Sequence, residues 1–231
     1  MRCCLINTKL ITNKDFAYPE KLKQIPDKPL CLFYRGNIDL LKRKSIAIIG
    51  SREYSNYGKQ IAVNFAYSLA KLGLTIVSGG ARGIDSFATM GAIAAGGSVI
   101  LVLGNSIEYV YPPENKELEE KVIENDGLII SEYMAGTKPC KYTFPERNRL
   151  ISGISDGVLV VEAGRESGAL ITVDFALEQG KSVFAVPGNI TSRFSMGTNE
   201  LIKQGAKATT KIEDILEEIC WKNLLLLNYV I

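Results

Sequence analysis

The sequence predicts an α/β protein built on a doubly wound, mostly parallel sheet, and three observations predict it. Six short apolar, β-branched runs recur along the chain: SIAIIG ending at Gly50, LTIVSGG at Gly80, SVILVLG at Gly104, GLIISE at Glu132, DGVLVVEAG at Gly164 and KSVFAVPG at Gly188. Near-continuous runs of this kind read as strands covered on both faces. Between them lie helical periods, clearest in Ile61, Phe65, Leu69 and Leu72, whose spacing of four, four and three lays one apolar stripe against a sheet. Strands alternating with helices give parallel strands wound in both directions.

Taken in order, residues 1–44 form an N-terminal extension. Its stretch YPEKLKQIPDKPLCLFYRG at 18–36 mixes prolines, lysines and aromatics and is expected to wrap the sheet edge before the first run. Residues 45–220 form one large domain that holds all six runs. It ends in an amphipathic helix carrying Ile212, Ile215, Leu216 and Ile219. Residues 221–231, WKNLLLLNYVI, form a short apolar tail, far below the ~20 residues a spanning helix needs. The tail is expected to pack on this domain or on a partner, and no membrane role is expected.

Composition narrows the chemistry. The chain has 231 residues, 46% of them hydrophobic, enough for one substantial core. It contains no histidine, which excludes Ser-His-Asp and Cys-His catalytic groups. Cys3, Cys4, Cys31, Cys140 and Cys220 are odd in number and contain no Cys-x-x-Cys pair, so free thiols are expected. The first residues carry no apolar core of signal-peptide length, and a cytoplasmic location is expected. A net charge of +2 and a pI near 8.2 are too mild to indicate nucleic acid. That case rests on local clusters.

Most runs end in glycine, serine or a charged residue where a strand hands over to a loop, the edge at which open parallel sheets bind ligands. The first ends in Gly50-Ser51-Arg52. The glycines at 50 and 58 are too far apart for a Walker loop, Gln60 stands where such a loop has Ser or Thr, and no Gly-x-Gly-x-x-Gly is present. NAD and ATP therefore lose their support, and no cofactor is expected. A glycine, a hydroxyl and a guanidinium near a helix start still make a phosphate cradle. The second run leads into Gly79-Gly80-Ala81-Arg82-Gly83-Ile84-Asp85. Arg82 adds a second cation, and Asp85 reads foremost as a residue that caps or orients the next helix with Arg82 as its partner.

The densest cluster is KPCKYTFPERNR at 138–149, with Pro145 placed to open a helix. Lys141, Arg147 and Arg149 hold phosphates in this reading, and Asn148 lies between the two arginines. Phe144, or Tyr142, offers a face on which an unpaired base stacks. The competing reading is a solvated basic loop with one buried phenylalanine. Farther on, Ser167-Gly168-Ala169 again sets small residues at a helix start, suited to phosphate.

In their order and spacing, GSR at 50–52, SGGARGID at 78–85, SEY at 131–133, FPERNRLI at 144–151, VVEA with SGALIT, AVPG at 185–188 and GTNELIKQGA at 197–206 resemble the DprA/Smf DNA-processing family. The resemblance covers about residues 18–218. It implies an extended Rossmann-like domain that binds and protects single-stranded DNA and helps to load the RecA recombinase in natural transformation. It also implies a homodimer. The family's DNA-contacting positions fall on Gly50, Ser51 and Arg52, on Lys141 and Phe144, and on the turn Arg147-Asn148-Arg149. Thr89 and Ala169 stand where the family usually has His and often Ser. The chain is expected to hold little of the helical domain that commonly precedes this core or of the winged-helix-like domain that often follows it.

The main alternative is an enzyme of the nucleoside-monophosphate phosphoribohydrolase type, in which Glu162 and Arg165 would cleave the glycosidic bond. Such enzymes carry Pro-Gly-Gly-x-Gly-Thr-x-x-Glu after a late strand, where this chain has VEAGRESGALIT. A nucleotide-sensing interaction module is a third class, and the FPERNR cluster argues against it. No catalytic residue is expected.

Overall fold

A computed structural model describes residues 8–219 of the chain. The tail at 221–231, together with Cys3, Cys4 and Cys220, lies outside the described residues. Cys31 and Cys140 are free thiols.

All six apolar runs are parallel strands: β3 (Ser45–Ile49), β4 (Thr75–Ser78), β5 (Val99–Leu103), β6 (Leu128–Ser131), β7 (Gly157–Val160) and β8 (Ser182–Ala185). A two-residue strand, β9 (Lys207–Ala208), extends the sheet beyond β8. The N-terminal extension does more than wrap the edge. It contributes β1 (Lys9–Thr12) and β2 (Cys31–Gly36), which join the sheet antiparallel at β6. β1 buries only Ile11, and β2 meets both layers, Leu32 within one core and Phe33 against the other, with most of its residues only partly buried, so neither carries the fully buried apolar run of the central strands.

The sheet order is β1-β2-β6-β5-β4-β3-β7-β8-β9. From β3 the chain winds outward through β4, β5 and β6, then crosses back to place β7 on the other side of β3. The crossover carries helix α5 (Thr143–Ile154). The direction of winding therefore reverses between β3 and β7, which is where such sheets open a crevice.

Period-two alternation sends neighbouring residues of one strand into two separate cores. Ala47 and Ile49 face the layer of α5 and α6 (Ala169–Glu178), and Ile46 and Ile48 face that of α2 (Asn56–Lys71), α3 (Ile84–Ala94) and α8 (Glu213–Ile219). On α2 the buried stripe is Ala62, Phe65, Ala66 and Leu69. Leu72 of the expected stripe lies one residue past the helix end and is exposed. The extension also supports α5. Leu22, on α1 (Glu20–Lys23), and Ile25 are buried against Gly153, where an added Cβ would come within 2.9 Å of Leu22 Cδ2.

One buried carboxyl stands apart from the core's logic. Glu119, on α4 (Lys116–Glu124), is 3% exposed and its Oε2 has no hydrogen-bond partner among the described residues. Burial pushes this carboxyl from 4.5 up to about 7, although the Arg35 guanidinium pulls it down. A folded-state value raised above the unfolded one favours folding below pH 4.5, and the benefit is lost as pH rises through about 7. Glu119→Gln is accordingly expected to be more stable than the parent at pH 8 by roughly 2 to 3 kcal/mol and equal to it near pH 4. Thermal melts across that range check this; coincident melting at pH 8 refutes it.

Candidate functional site

The loops that leave β3 and β7 part over the reversal point and frame a cleft of about 990 Å³. Gly50 begins the β3 loop because nothing larger fits. A Cβ there would lie 2.7 Å from the Ile84 side chain and 2.8 Å from the Glu162 carbonyl. Ser51 N–H donates to the Glu162 carbonyl at 2.8 Å, and Ile84 N–H donates to the Ser51 carbonyl at 3.3 Å. This pinned loop presents Arg52, exposed, at the cleft wall.

Phe144 opens α5 opposite Arg52 and is half-buried. Its ring packs on Gly104, where a Cβ would come within 2.7 Å, and lies 5.3 Å from the Tyr111 ring at a tilt of 31°. The Arg52 guanidinium stands 5.7 Å from the centre of the Phe144 ring. The side chain is thus neither a core residue nor a free one. Lys141 is exposed at the rim, with its Nζ 4.9 Å from the Tyr142 ring centre.

Ser167 and Gly168 precede α6, whose N-cap Gly168 has no side chain to offer, and Ser167 Oγ accepts from the Ala169 amide at 3.4 Å. Ser167 Oγ lies 3.3 Å from Ser51 Oγ, so the hydroxyls of two separate loops meet at the cleft. Asn148 Nδ2 donates to the Gly168 carbonyl at 3.3 Å, which ties α5 to the start of α6. An exposed helix start of this kind favours an anion.

Arg147 differs from the role the sequence suggests. It is 5% exposed and forms the cleft floor. Its Nη1 donates to the Gly79 carbonyl at 2.7 Å and to the Val102 carbonyl, and its Nε donates to Asn148 Oδ1 at 3.2 Å. Beside Arg147 lies Asp85, also buried, accepting from the amides of Gly79 at 3.1 Å and Ala81 at 3.4 Å. Burial raises the Asp85 carboxyl to about 6, against Arg147 and the amides of Ala81, Gly79 and Gly50, which pull it down. Burial likewise lowers Arg147 to about 10, with Asp85 opposing, so the guanidinium stays charged at neutral pH.

Two expected residues lie away from the cleft. Arg149 emerges on another side of α5, where its Nη2 chelates Glu132 at 2.8 and 2.9 Å and its Nε meets Asp27 at 3.0 Å. Residues two apart on a helix do not share a face, so Arg147 and Arg149 cannot both line one groove. Arg82 points outward to Glu114 instead of pairing with Asp85. Asp85 does orient the start of α3, as expected, through backbone amides. Thr89 is buried and donates to the Asp85 carbonyl at 2.9 Å.

Glu162, the carboxylate on which the enzymatic alternative depends, is 2% exposed and turned toward the start of α2. It accepts from Ser55 N at 2.9 Å and from Ser55 Oγ at 2.5 Å. Gly58 is required there, because a Cβ would collide with the carboxylate. Arg165, the partner of Glu162 in the enzymatic alternative, lines the cleft, and Tyr111, Arg193 and Phe194 are further walls outside the motifs singled out in the sequence. The run Arg193-Phe194 repeats the cation-beside-aromatic pattern that singled out 138–149, and this was its legible signal.

The family described as DNA recombination-mediator protein A matches residues 9–220. DNA processing protein DprA of Streptococcus pneumoniae is 45% identical over 204 residues, 88% of this chain and 72% of that protein. Its crystal structure superimposes with a TM-score of 0.88 at 41% identity, covering 94% of this chain and 76% of that one. DNA processing protein A of Helicobacter pylori, described for its single-stranded DNA binding mode, superimposes with a TM-score of 0.82 at 32% identity over 96% of each chain.

Proposed function

Because this chain belongs to the DNA recombination-mediator protein A family, the DprA/Smf proteins, we propose that it binds single-stranded DNA in the cleft between the β3 and β7 loops. There it protects the strand and helps to load RecA during recombination and natural transformation. It acts in the cytoplasm as a homodimer and turns over no substrate. The observation that carries the reading is the conjunction of a pinned Gly50-Ser51-Arg52 loop with a half-buried Phe144 across from it and Lys141 at the rim. Such a site takes phosphates on cations and amides and an unpaired base on the ring. The burial of Glu162 against Ser55 speaks against a phosphoribohydrolase. Free AMP incubated with the protein is expected to stay intact.

Each side chain has a distinct expected signature. Arg52 can donate a forked pair of hydrogen bonds to one phosphate, which a lysine cannot reproduce, so Arg52→Lys should weaken binding despite the retained charge. Lys141→Ala should lower the slope of log K against log salt by about 0.7. Phe144→Ala should cost about 1 to 3 kcal/mol of binding and leave that slope nearly intact. Fluorescence anisotropy with single- and double-stranded oligonucleotides over a salt series measures all three. Equal affinity for duplex and single strand, or an Arg52→Lys variant that binds like the parent, would defeat the reading. A strictly monomeric species in light scattering, with no effect on RecA filament formation, would remove the dimer and the RecA role.

A further inference from the structure

Two arginines stand on the β8 side of the cleft, Arg165 after β7 and Arg193 ahead of α7 (Met196–Lys203). Arg165 has no ion-pair partner among the described residues. Arg193 lies over the Phe194 ring, 4.8 Å from its centre, and its Nη2 is 3.0 Å from Oε2 of Glu53. Glu53 directly follows Arg52 in the β3 loop. The pair therefore bridges the loop after β3 to the loop after β8 at the mouth of the cleft.

The bridge is poorly placed to hold the fold together. Both side chains are largely exposed, 73% and 77%, where water screens the attraction and the ordering of two long side chains offsets it. It is well placed to meet a polyanion. Only β7 separates β3 from β8, so at ~4.8 Å per strand the two loops lie about 10 Å apart along the sheet edge. A strand of nucleic acid held at Arg52 reaches the other loop within about three nucleotides. A phosphodiester offers a guanidinium the same pair of acceptor oxygens as the carboxylate it would replace.

We propose that Arg193 is a further phosphate-binding residue of the cleft and that Glu53 is its resident competitor. In the free protein Glu53 holds Arg193, and the incoming DNA backbone displaces the carboxylate. Glu53 thereby keeps the affinity below what the cations of the cleft would otherwise reach, which suits a protein that must release its strand to another. The inference rests on the reading of the cleft as a single-stranded DNA site.

Anisotropy of a labelled oligodeoxythymidine over a salt series, with the parent, Glu53→Gln, Arg193→Ala and the double variant, tests it. Glu53→Gln should bind up to about fivefold more tightly. Arg193→Ala should bind more weakly, with its salt slope lower by about 0.7. Most of the Glu53→Gln gain should vanish when Arg193 is also alanine, because the carboxylate acts through that guanidinium. The same gain in both backgrounds would make Glu53 an ordinary repulsive charge and overturn the proposal, as would an Arg193→Ala variant with the parent's affinity and slope. Arg52→Lys separates the two levels. If it weakens binding while Arg193→Ala does not, this inference alone fails, whereas if the parent does not bind the oligonucleotide, the reading of the cleft fails with it.

Discussion

Arg147→Ala is expected to lose about 3 to 5 kcal/mol of folding stability, the range for removing one member of a buried charged network. Three groups lose their partner at once. The carbonyls of Gly79 and Val102, at the ends of β4 and β5, lose the Nη1 that joins them to α5, and a buried unpaired acceptor costs ~1–3 kcal/mol. Asp85 loses the nearest charge that offsets its burial. The pH dependence carries the same mechanism. The folded-state value of Asp85, about 6, lies above the ordinary 3.8, so its contribution favours folding below pH 4 and is lost as pH rises through about 6. Without Arg147 that value moves higher and the loss of stability extends toward neutral pH. Thermal melts of parent and variant between pH 4 and 8 measure both effects. A variant within about 0.5 kcal/mol of the parent, or one with an unchanged pH profile, would show that Arg147 is not the clamp described.

Gly83→Ala should damage stability and binding together, because this glycine supports the β3 loop from behind. Its backbone sits at φ 79° and ψ −128°, a conformation that side-chain-bearing residues avoid. An added Cβ would lie 2.5 Å from the Ser51 carbonyl oxygen and 2.7 Å from that of Arg52. Those are backbone atoms and cannot rotate away, so either α3 or the Gly50-Ser51-Arg52 loop must shift. A loss of about 2 to 5 kcal/mol in stability is expected, from the strained conformation and the overpacking together. The folded fraction should bind single-stranded DNA at least as poorly as Arg52→Lys. Gly180→Ala is the matched control, since Gly180 has φ 65° but nothing within 4 Å of its added Cβ. It should show the strain alone and bind normally. Equal behaviour of the two alanine variants in melting and anisotropy would sink the argument.

The cleft residues were legible in the sequence to different degrees, for a physical reason in each case. Gly50, Ser51, Arg52, Ser167 and Gly168 could be read because a glycine or serine at the end of an apolar run marks a strand end, and parallel strand ends share one edge. Phe144 and Lys141 were legible from cations interleaved with aromatics. Arg149 lies close to Arg147 in the basic cluster, but the helical phase of α5 turns the two apart, one toward the cleft floor and the other toward Glu132 and Asp27. Arg82 looked like a partner for Asp85 three residues on, but the loop turns it outward to Glu114. Arg193 and Glu53 stand 140 residues apart in sequence, so no local pattern could connect them.

The strand runs, the parallel winding, the absence of histidine chemistry and the family are all written in the order of the residues. All of these depend on residue type and short-range period, which persist in an unfolded chain. That β1 and β2 complete the sheet at β6, that Arg147 is a buried clamp, and that Glu162 is held by Ser55 at the start of α2 emerges only when the chain is folded. Each of these depends on which distant segment lies alongside. Burial then sets the outcome, because a polar group out of water must take the nearest buried partner, whatever role its neighbours in sequence suggest.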